Sequence, residues 1–489
     1  MSAEITSVTV RMYNTSSVGD CLLLLFNRGK QVSFKMLIDC GGWNADTAAI
    51  TACVTDIRDT CQGELDLLVL THQHEDHVSG FNQARAVFDQ IAVKQVWMSW
   101  IEDESDTIGK ILREKYEKKL KELKAVAAKA VRQMKLQERG SSPVRGFNAG
   151  LAARRQSMED TLRLIEFEEG TLHSKGLAAG KRTNDDAVKY IKSKGKKLRY
   201  RKPGEVIRDL EGAEGCKFYI LGPPRDEDLS YFRIVMEDDE MYHLAAASAA
   251  AGKKRRPGNG ILSAGIKLEE GVSPFGDLYK LSGTAEAEFM KRYKSEDYKW
   301  RQIENDWLET ASAIALRVTS LTNNTSLAMA IEIGNDGKVI LLPGDAQSGN
   351  WMGWHKPDVK QALLKKGGKD TVELLKNTVL YKVGHHGSHN GTASRSGLEL
   401  MESEDLVVMM PLVQAKIPKE WGGSKNFPAK GLYGRLIERS KGRVIRTDEG
   451  AATDTRAKKF RSQLSSAAKN EFDKMYTQGN GWVQYTVKV

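Results

Sequence analysis

His72-Gln73-His74-Glu75-Asp76-His77 gathers three of the chain's nine histidines and an aspartate into six consecutive positions, directly behind the apolar segment 65–70. Imidazole and carboxylate side chains at this density are metal-ligand chemistry, suited to zinc, with manganese or iron as alternatives. Residues two apart on an extended chain face the same way, so His72 and His74 are placed to chelate one ion together. A turn into a helix after them would carry Asp76 and His77 to the far side of a loop, where they can hold a second ion a few ångströms away.

Three other segments share one design, an apolar strand that delivers a polar group into a glycine turn. Residues 339–342 run into Pro343-Gly344-Asp345, a carboxylate placed to bridge two ions. Residues 379–383 run into Gly384-His385-His386-Gly387-Ser388, where either histidine can finish the second ion's set. Leu37-Ile38 runs into Asp39-Cys40-Gly41-Gly42, and Asp39 suits the orientation of a ligand histidine from behind. Each piece alone reads equally well as a turn or a structural pair. Four such strand ends in one chain read as a site.

The elements that must hold these groups alternate in the α/β manner. Strands are expected at 8–13, 21–26, 33–39, 65–70 and 93–100, with a helix across 45–58. Leu112, Tyr116, Leu120, Leu123, Ala127, Val131 and Met134 recur at helical spacing and predict a long amphipathic helix, paired with a second across 157–167. That stripe is expected to pack on the parent domain rather than form a dimer coiled coil. A short helix to 193, a basic stretch through 202 and strands at 216–221, 311–320, 326–333 and 338–342 follow. The resulting division is 1–102 as the first half of a hydrolase domain, 103–184 as a basic helical insertion, 185–224 as a return, 225–305 as a loop-rich insertion and 306–489 as the second half. The tetrad Lys253-Lys254-Arg255-Arg256 falls in the second insertion and reads as a phosphate contact, an import signal or, at least as well, an exposed flexible turn.

At 489 residues the chain can bury a substantial core, and its 40% hydrophobic content is that of an ordinary soluble protein. No apolar run approaches the roughly 20 residues that span a bilayer, and the start lacks a signal-peptide pattern, so no membrane partner and a cytoplasmic location are expected. The five cysteines form no CxxC pair and are expected as buried thiols. The net charge of +10 is unevenly placed: residues 110–139 carry 11 Lys/Arg against 4 Asp/Glu, and residues 181–202 carry 10 against 2. The rest of the chain is therefore net acidic. Cations concentrated in two stretches fit a polyanion, which points to nucleic acid tracked through its backbone.

The segments HQHEDH, LIDCGG, PGDAQ and VGHHGS resemble the metallo-β-lactamase fold hydrolases, in particular the hydrolase domain of the DNA-internalisation competence proteins. The likeness extends to Thr322-Asn323-Asn324-Thr325-Ser326, to an LGPP strand end and to VIRTDEG at 444–450, covering 5–100, 185–224 and 311–450. It implies a four-layered αββα sandwich with a metal centre at the strand ends between two pseudo-symmetric halves. It further implies His72 and His74 on a first ion, Asp76 and His77 on a second, Asp345 as bridge, and a histidine of the 385–386 pair completing the second set. His385 is assigned to that place here, and His386 to the substrate side. Many members supply a third histidine to the first ion. In this chain only His173 and His243 lie in the relevant interval, both within the expected insertions, where they read as surface residues. The first ion's site is therefore expected to be weaker, completed by water, or filled by a polar residue such as Asn324.

The expected function is a metal-dependent hydrolase, a phosphodiesterase or nuclease that cuts DNA or RNA with a metal-bound hydroxide on a pair of zinc ions, manganese being the alternative. Asp76 would steer the nucleophile while binding metal, and His386, Ser388 and Thr392 would contact the phosphate or protonate the leaving group. Two competing readings keep the metal: hydrolysis of a small phosphodiester, cyclic nucleotide or lactone, and a scaffold subunit that docks a protein partner through the helical insertion.

Overall fold

The computed structural model describes residues 4–140, 182–225, 321–418 and 423–489, together with scattered helical positions between 155 and 165 and at 288 and 291. Chain contacts divide it into two units, one made of 1–114, 166–249 and 319–489, the other of 115–165 and 250–318. These divisions fall at other residues than the boundaries read from composition, because charge and periodicity mark segments whereas contacts mark bodies.

The first unit holds two mixed eight-stranded sheets. In chain order, β1 is Ser7–Tyr13, β2 Leu22–Arg28, β3 Gln31–Ile38, β4 Glu64–Leu70, β5 Ala92–Ser99, β6 Gly195–Arg201, β7 Val206–Ile207 and β8 Lys217–Ile220. They continue as β9 Met329–Ile333, β10 Lys338–Leu342, β11 Thr378–Lys382, β12 Val407–Met410, β13 Val444–Arg446, β14 Gly450–Ala451, β15 Tyr476–Gly479 and β16 Trp482–Lys488. One sheet runs β15-β16-β1-β2-β3-β4-β5-β6, the other β14-β13-β12-β11-β10-β9-β8-β7. The expected segment 311–320 lies outside the described residues, as do His173, His243 and the 253–256 tetrad.

Strands β3 to β6 are mutually parallel, and so are β10 to β13. Parallel strands are covered on both faces and therefore read as nearly unbroken apolar runs, as ELDLLVL and KVILL do. Val10, Leu24, Met36 and Val69 from the first sheet share one core with Phe218, Ile331, Ile340 and Met409 from the second. The alternate residues point the other way. In the first sheet Leu23, Leu37 and Leu68 meet Ile50, Val54 and Ile57 of the helix Thr47–Cys61 and Val188 and Ile191 of the helix Asn184–Lys194. In the second sheet Val339, Leu341 and Tyr381 meet Trp351 and Trp354 of the helix Ser348–Trp354 and Leu432 and Leu436 of the helix Lys430–Arg439. The expected layered α/β arrangement is thus what the chain adopts.

Two further expectations concern the basic segments. The long helix spans Thr107–Gly140, and Leu120, Ala127 and Val131 of its apolar stripe are buried. Its exposed Lys135 pairs with Glu159 at 3.2 Å. The second basic segment was expected only as a short helix to 193 followed by basic residues through 202, with no element assigned to them. These residues form edge strand β6, in which Leu198 and Tyr200 pack on the core, Arg201 stacks over Trp97, and Lys196, Lys197 and Arg199 stay exposed. Alternation of apolar and basic residues allows this, since one face of an edge strand can remain in water. All five cysteines are buried free thiols. Among the described residues no helix is long and apolar enough to cross a membrane.

Candidate metal centre

Parallel pairing aligns the carboxyl ends of several strands at one edge, the place where open α/β sheets gather their chemistry. Ile38 pairs with Val69, so Asp39 and Thr71 emerge side by side. Leu341 pairs with Tyr381, which brings the 343–345 turn beside the 383–386 turn. β9 runs antiparallel to β10, so the residues that enter it, Asn323 to Ser326, reach the same edge. Glycines permit the close approaches: a Cβ on Gly41 would stand 2.6 Å from the backbone at Asp76 and His77, and one on Gly344 3.0 Å from the side chains of Thr71 and Ser326.

The predicted turn into a helix occurs. His74 is the residue before the helix Glu75–Gln83, whose first turn carries Asp76 and His77. His72, His74, Asp76, His77, Asp345 and His386 are all buried. His72 Nε2 lies 3.0 Å from His74 Nδ1, so the two rings aim nitrogens at a common point. Behind them Asp39, in the left-handed region with φ 53°, uses both oxygens. It accepts from the Thr71 N–H at 2.8 Å and the Thr71 hydroxyl at 2.6 Å, and lies 2.7 Å from His77 Nδ1. Because the Thr71 proton goes to Asp39, the same hydroxyl oxygen, 3.0 Å from His72 Nδ1, acts there as acceptor. His72 therefore keeps its proton on Nδ1 and presents the Nε2 lone pair.

On the other side, His386 Nδ1 donates to the Pro411 carbonyl at 2.9 Å, which turns Nε2 inward to 2.8 Å from Asp76 Oδ2 and 3.4 Å from Asp345 Oδ2. His77 Nε2 faces the same carboxylates, 3.3 Å from Asp345 Oδ2 and 3.9 Å from Asp76 Oδ2. Asp20, His77, Asp345 and His386 also form a buried group with one ligand-type atom each, all within 4.8 Å of one another. Asp20 approaches both rings from the Nδ1 side, at 3.9 and 3.7 Å, where those nitrogens already have partners, and it pairs with the ammonium of Lys382. The ring atoms left for an ion are the Nε2 atoms, and the carboxylates that meet them are those of Asp76 and Asp345.

A metal ion fits this group. Asp76 Oδ1 and His77 Nε2 are buried without a hydrogen-bond partner, an arrangement a cation would relieve. Four carboxylates, of Asp20, Asp39, Asp76 and Asp345, are buried here with one ammonium, that of Lys382. The titration behaviour reflects the same excess. Burial and the neighbouring His77 and His74 push His72 well below the usual histidine range, which keeps it neutral. Burial also opposes charge on His77, but Asp345, Asp76, Asp20 and Asp39 outweigh it and raise that group well above the usual range; burial at His386 is likewise outweighed by Asp345 and Asp76. Burial would raise Asp345, yet His77, His386 and Lys382 hold it well below the usual carboxylate range.

This sets a pH dependence. The raised His77 and His386 contribute stability that is fully present below the ordinary histidine value of 6.5 and lost as pH rises through their folded values. The lowered Asp345 and Asp76 contribute stability present above the ordinary value of 3.8 and lost as pH falls through theirs. Ion-free protein is therefore expected to be most stable between about pH 4 and 6.5 and to weaken toward alkaline pH, whereas a bound divalent ion replaces the protons and moves the optimum upward. Thermal melts across pH with chelator and with added zinc check this; a gap between the two curves that does not widen with pH would contradict it.

Several sequence expectations are corrected. His386, expected on the substrate side, stands in the ligand group. His385, expected as ligand, is half-buried beside it, its Nε2 3.3 Å from Asn323 Nδ2 and its Nδ1 3.4 Å from Gln347 Nε2. The cause is the backbone: both histidines take left-handed conformations, φ 49° and 51°, which turn the second ring inward. Asn324 does not fill the place of a third histidine, because its Oδ1 accepts from the N–H groups of Gln347 and Asn350 at the start of the helix Ser348–Trp354. Ser388 donates to Asn390, and Thr392 is fully buried against the Tyr381 hydroxyl at 2.7 Å, so neither hydroxyl is presented to a substrate. Asp20 and Lys382 were missed. Their signals were an acid bordering the apolar run 21–26 after a glycine, and a lysine closing the otherwise apolar strand β11.

Comparison with known proteins leaves the centre to be judged on its own geometry: no protein-family model matches the chain, and no curated protein matches it.

Proposed function

We propose that the chain is a metal-dependent hydrolase with the four-layered αββα metallo-β-lactamase architecture, and that it cleaves phosphodiester bonds in DNA or RNA using zinc, with manganese as the alternative. The observation that carries this reading is the pairing of His77 and His386 Nε2 with Asp76 and Asp345 at 2.8 to 3.9 Å, next to the His72–His74 pair. Such a donor set holds a hard-to-borderline divalent ion. An ion held there makes water acidic enough to supply a nucleophile near neutral pH and offsets charge that develops on phosphorus.

The chain's own residues supply the rest. Asp39 and Thr71 fix the tautomers of His77 and His72, so the lone pairs face inward before any ion arrives. Burial pushes His385 down to about 4, so near neutral pH it is a neutral ring beside the ligand group and takes the substrate-facing role first given to His386. In that form it can donate one hydrogen bond to a phosphate oxygen that takes the place of the Asn323 or Gln347 amide beside its ring. A polymer is favoured over a small ester by β6. Leu70 is level with Met98 and Met98 with Tyr200, which sets the carboxyl end of this basic strand at the same sheet edge as the histidine run. Exposed Lys196, Lys197 and Arg199 lead along that strand toward the edge.

The test is incubation of chelator-stripped protein with plasmid, single-stranded DNA, RNA and bis(p-nitrophenyl) phosphate under zinc, manganese and magnesium in turn. Cleavage of at least one polymer that depends on the ion and falls with rising salt is expected. Cleavage of the small ester alone would move the reading to a small substrate. No cleavage of any substrate with any ion would overturn it.

A further inference from the structure

We infer that the carboxamides of Asn323 and Gln347, which flank the His385 ring, form a subsite that reads the 2′-hydroxyl of a ribonucleotide, so that the chain cuts RNA in preference to DNA. This rests on the phosphodiesterase reading above and names which of its two polymers is the substrate. All three residues are tied to Asp345. The His385 N–H donates to Asp345 Oδ1 at 2.9 Å, and Gln347 follows Asp345 by two residues. Asn323 accepts at its carbonyl from the N–H of Ser326, whose hydroxyl takes the Asp345 N–H at 3.1 Å. The subsite therefore adjoins the ligand group.

Asn323 and Gln347 are each 1% exposed, whereas His385 between them is only half-buried. Asn323 Nδ2 lies 3.3 Å from His385 Nε2, and Gln347 Nε2 lies 3.4 Å from His385 Nδ1. A neutral imidazole has one N–H and one lone pair, so it cannot accept from both amides. One carboxamide gives its NH2 to the lone pair, and the other turns its oxygen to the ring N–H, since the two ends of an amide are told apart only by their partners. Whichever way round they stand, the outward end of one is an oxygen and that of the other an NH2. Both outward ends are buried and without a hydrogen-bond partner among the described residues. A buried polar atom without a partner is costly, so the pair suits a ligand that supplies one acceptor and one donor.

A phosphodiester supplies the acceptor but not the donor, because its oxygens carry no proton at neutral pH. The sugar and phosphate of DNA add no donor either. In RNA the 2′-hydroxyl is both donor and acceptor, on the carbon next to the one whose oxygen bears the phosphate, and by it proteins tell the two polymers apart. When a phosphate oxygen displaces the carboxamide that accepts from the ring N–H, the NH2 of that amide is free to donate to the same phosphate. The other amide keeps its NH2 on the ring lone pair, and its oxygen accepts from the 2′-hydroxyl. Base amino groups are donors too, but RNA and DNA of one sequence share them.

The experiment gives the metal-loaded full chain one single-stranded sequence in three forms: all RNA, all DNA with deoxyuridine for thymidine, and RNA with one 2′-deoxy sugar placed at each position in turn. The RNA strand is expected to be cut about 10-fold faster than the DNA strand, as for one hydrogen bond lost at a buried acceptor. A single 2′-deoxy sugar is expected to reproduce that loss only beside the bond that is cut. Products without a 2′,3′-cyclic phosphate are expected, which separates recognition of the hydroxyl from its use as the nucleophile. Asn323→Leu with Gln347→Met, shown to be folded by circular dichroism, is expected to bring the ratio of RNA to DNA cleavage close to one. Equal cutting of RNA and DNA by the wild type, a cyclic phosphate product, or a double variant that keeps the wild-type ratio would overturn the inference while leaving a metal-dependent phosphodiesterase intact. Cleavage of no strand with any ion would overturn both.

Discussion

Asp345→Asn is expected to abolish tight metal binding and to lower phosphodiester cleavage by on the order of 10³-fold, the largest single effect in the molecule. The substitution keeps the size of the side chain and removes its charge. Asp345 Oδ2 is the oxygen that meets both inward-facing imidazoles, and Oδ1 takes the His385 N–H and the Lys382 ammonium. An amide in that position must turn its NH2 either toward an ammonium and an N–H or toward the ion, and each orientation sets donor against donor or cation. Elemental analysis of the purified variant and its steady-state cleavage rate check the expectation, and a variant that keeps its ion and cuts within a few-fold of wild type would refute the assignment.

Asp39→Asn is expected to act more mildly and in a different way. Asp39 lies behind His77, 2.7 Å from its Nδ1, and its two oxygens also take both Thr71 donors. Loss of such an outer partner characteristically weakens metal binding by about 10- to 100-fold, because the ligand ring loses its fixed tautomer and part of its basicity. The backbone at residue 39 is left-handed, a conformation asparagine tolerates, so the variant separates the carboxylate's charge from the fold of the turn. Cleavage by Asp39→Asn is therefore expected to recover when metal is raised to saturation, whereas that of Asp345→Asn is not. Titration of activity against free zinc distinguishes them. A defect in Asp39→Asn that saturating metal cannot restore would place Asp39 in the chemistry itself.

The contrast between these residues shows what was legible in the sequence. Asp345 follows the apolar run 339–342 and a glycine, and Asp39 follows the apolar strand end Met36-Leu37-Ile38 two residues before Gly41, so their place at a strand end could be read directly, as could the ligand-type density of the histidine run. The layered α/β arrangement followed from the same apolar runs. The exchange of His385 and His386 could not be read, because it depends on two successive left-handed residues, and neither is a glycine or asparagine that would have signalled them. Thr392 was misplaced for a related reason: a hydroxyl seven residues after His385 looks available until the chain folds it against Tyr381. Asp20 escaped because it stands at the amino end of its strand, whereas Asp39 and Asp345 follow carboxyl ends and Asp76 sits in the histidine run itself. Only the antiparallel pairing of β2 with β3, Leu22 opposite Ile38, brings it beside Asp39. Lys382 was visible as a lone cation in an apolar strand, but its meaning needed the two carboxylates that come from distant parts of the chain. The strand in the basic segment through 202 was hidden by composition, since its seven residues carry four cations and the apolar face shows only once Leu198 and Tyr200 are seen to pack.

The most direct measurement is metal content and nucleic-acid cleavage determined on the same preparations of wild type and Asp345→Asn, before and after chelation and zinc restoration. The account predicts that wild type carries a divalent ion and cuts DNA or RNA, loses both on chelation and regains both with zinc, while the variant does neither at any stage. Cleavage that persists in chelated wild type or in the variant, or metal-loaded wild type that cuts no phosphodiester, would contradict it.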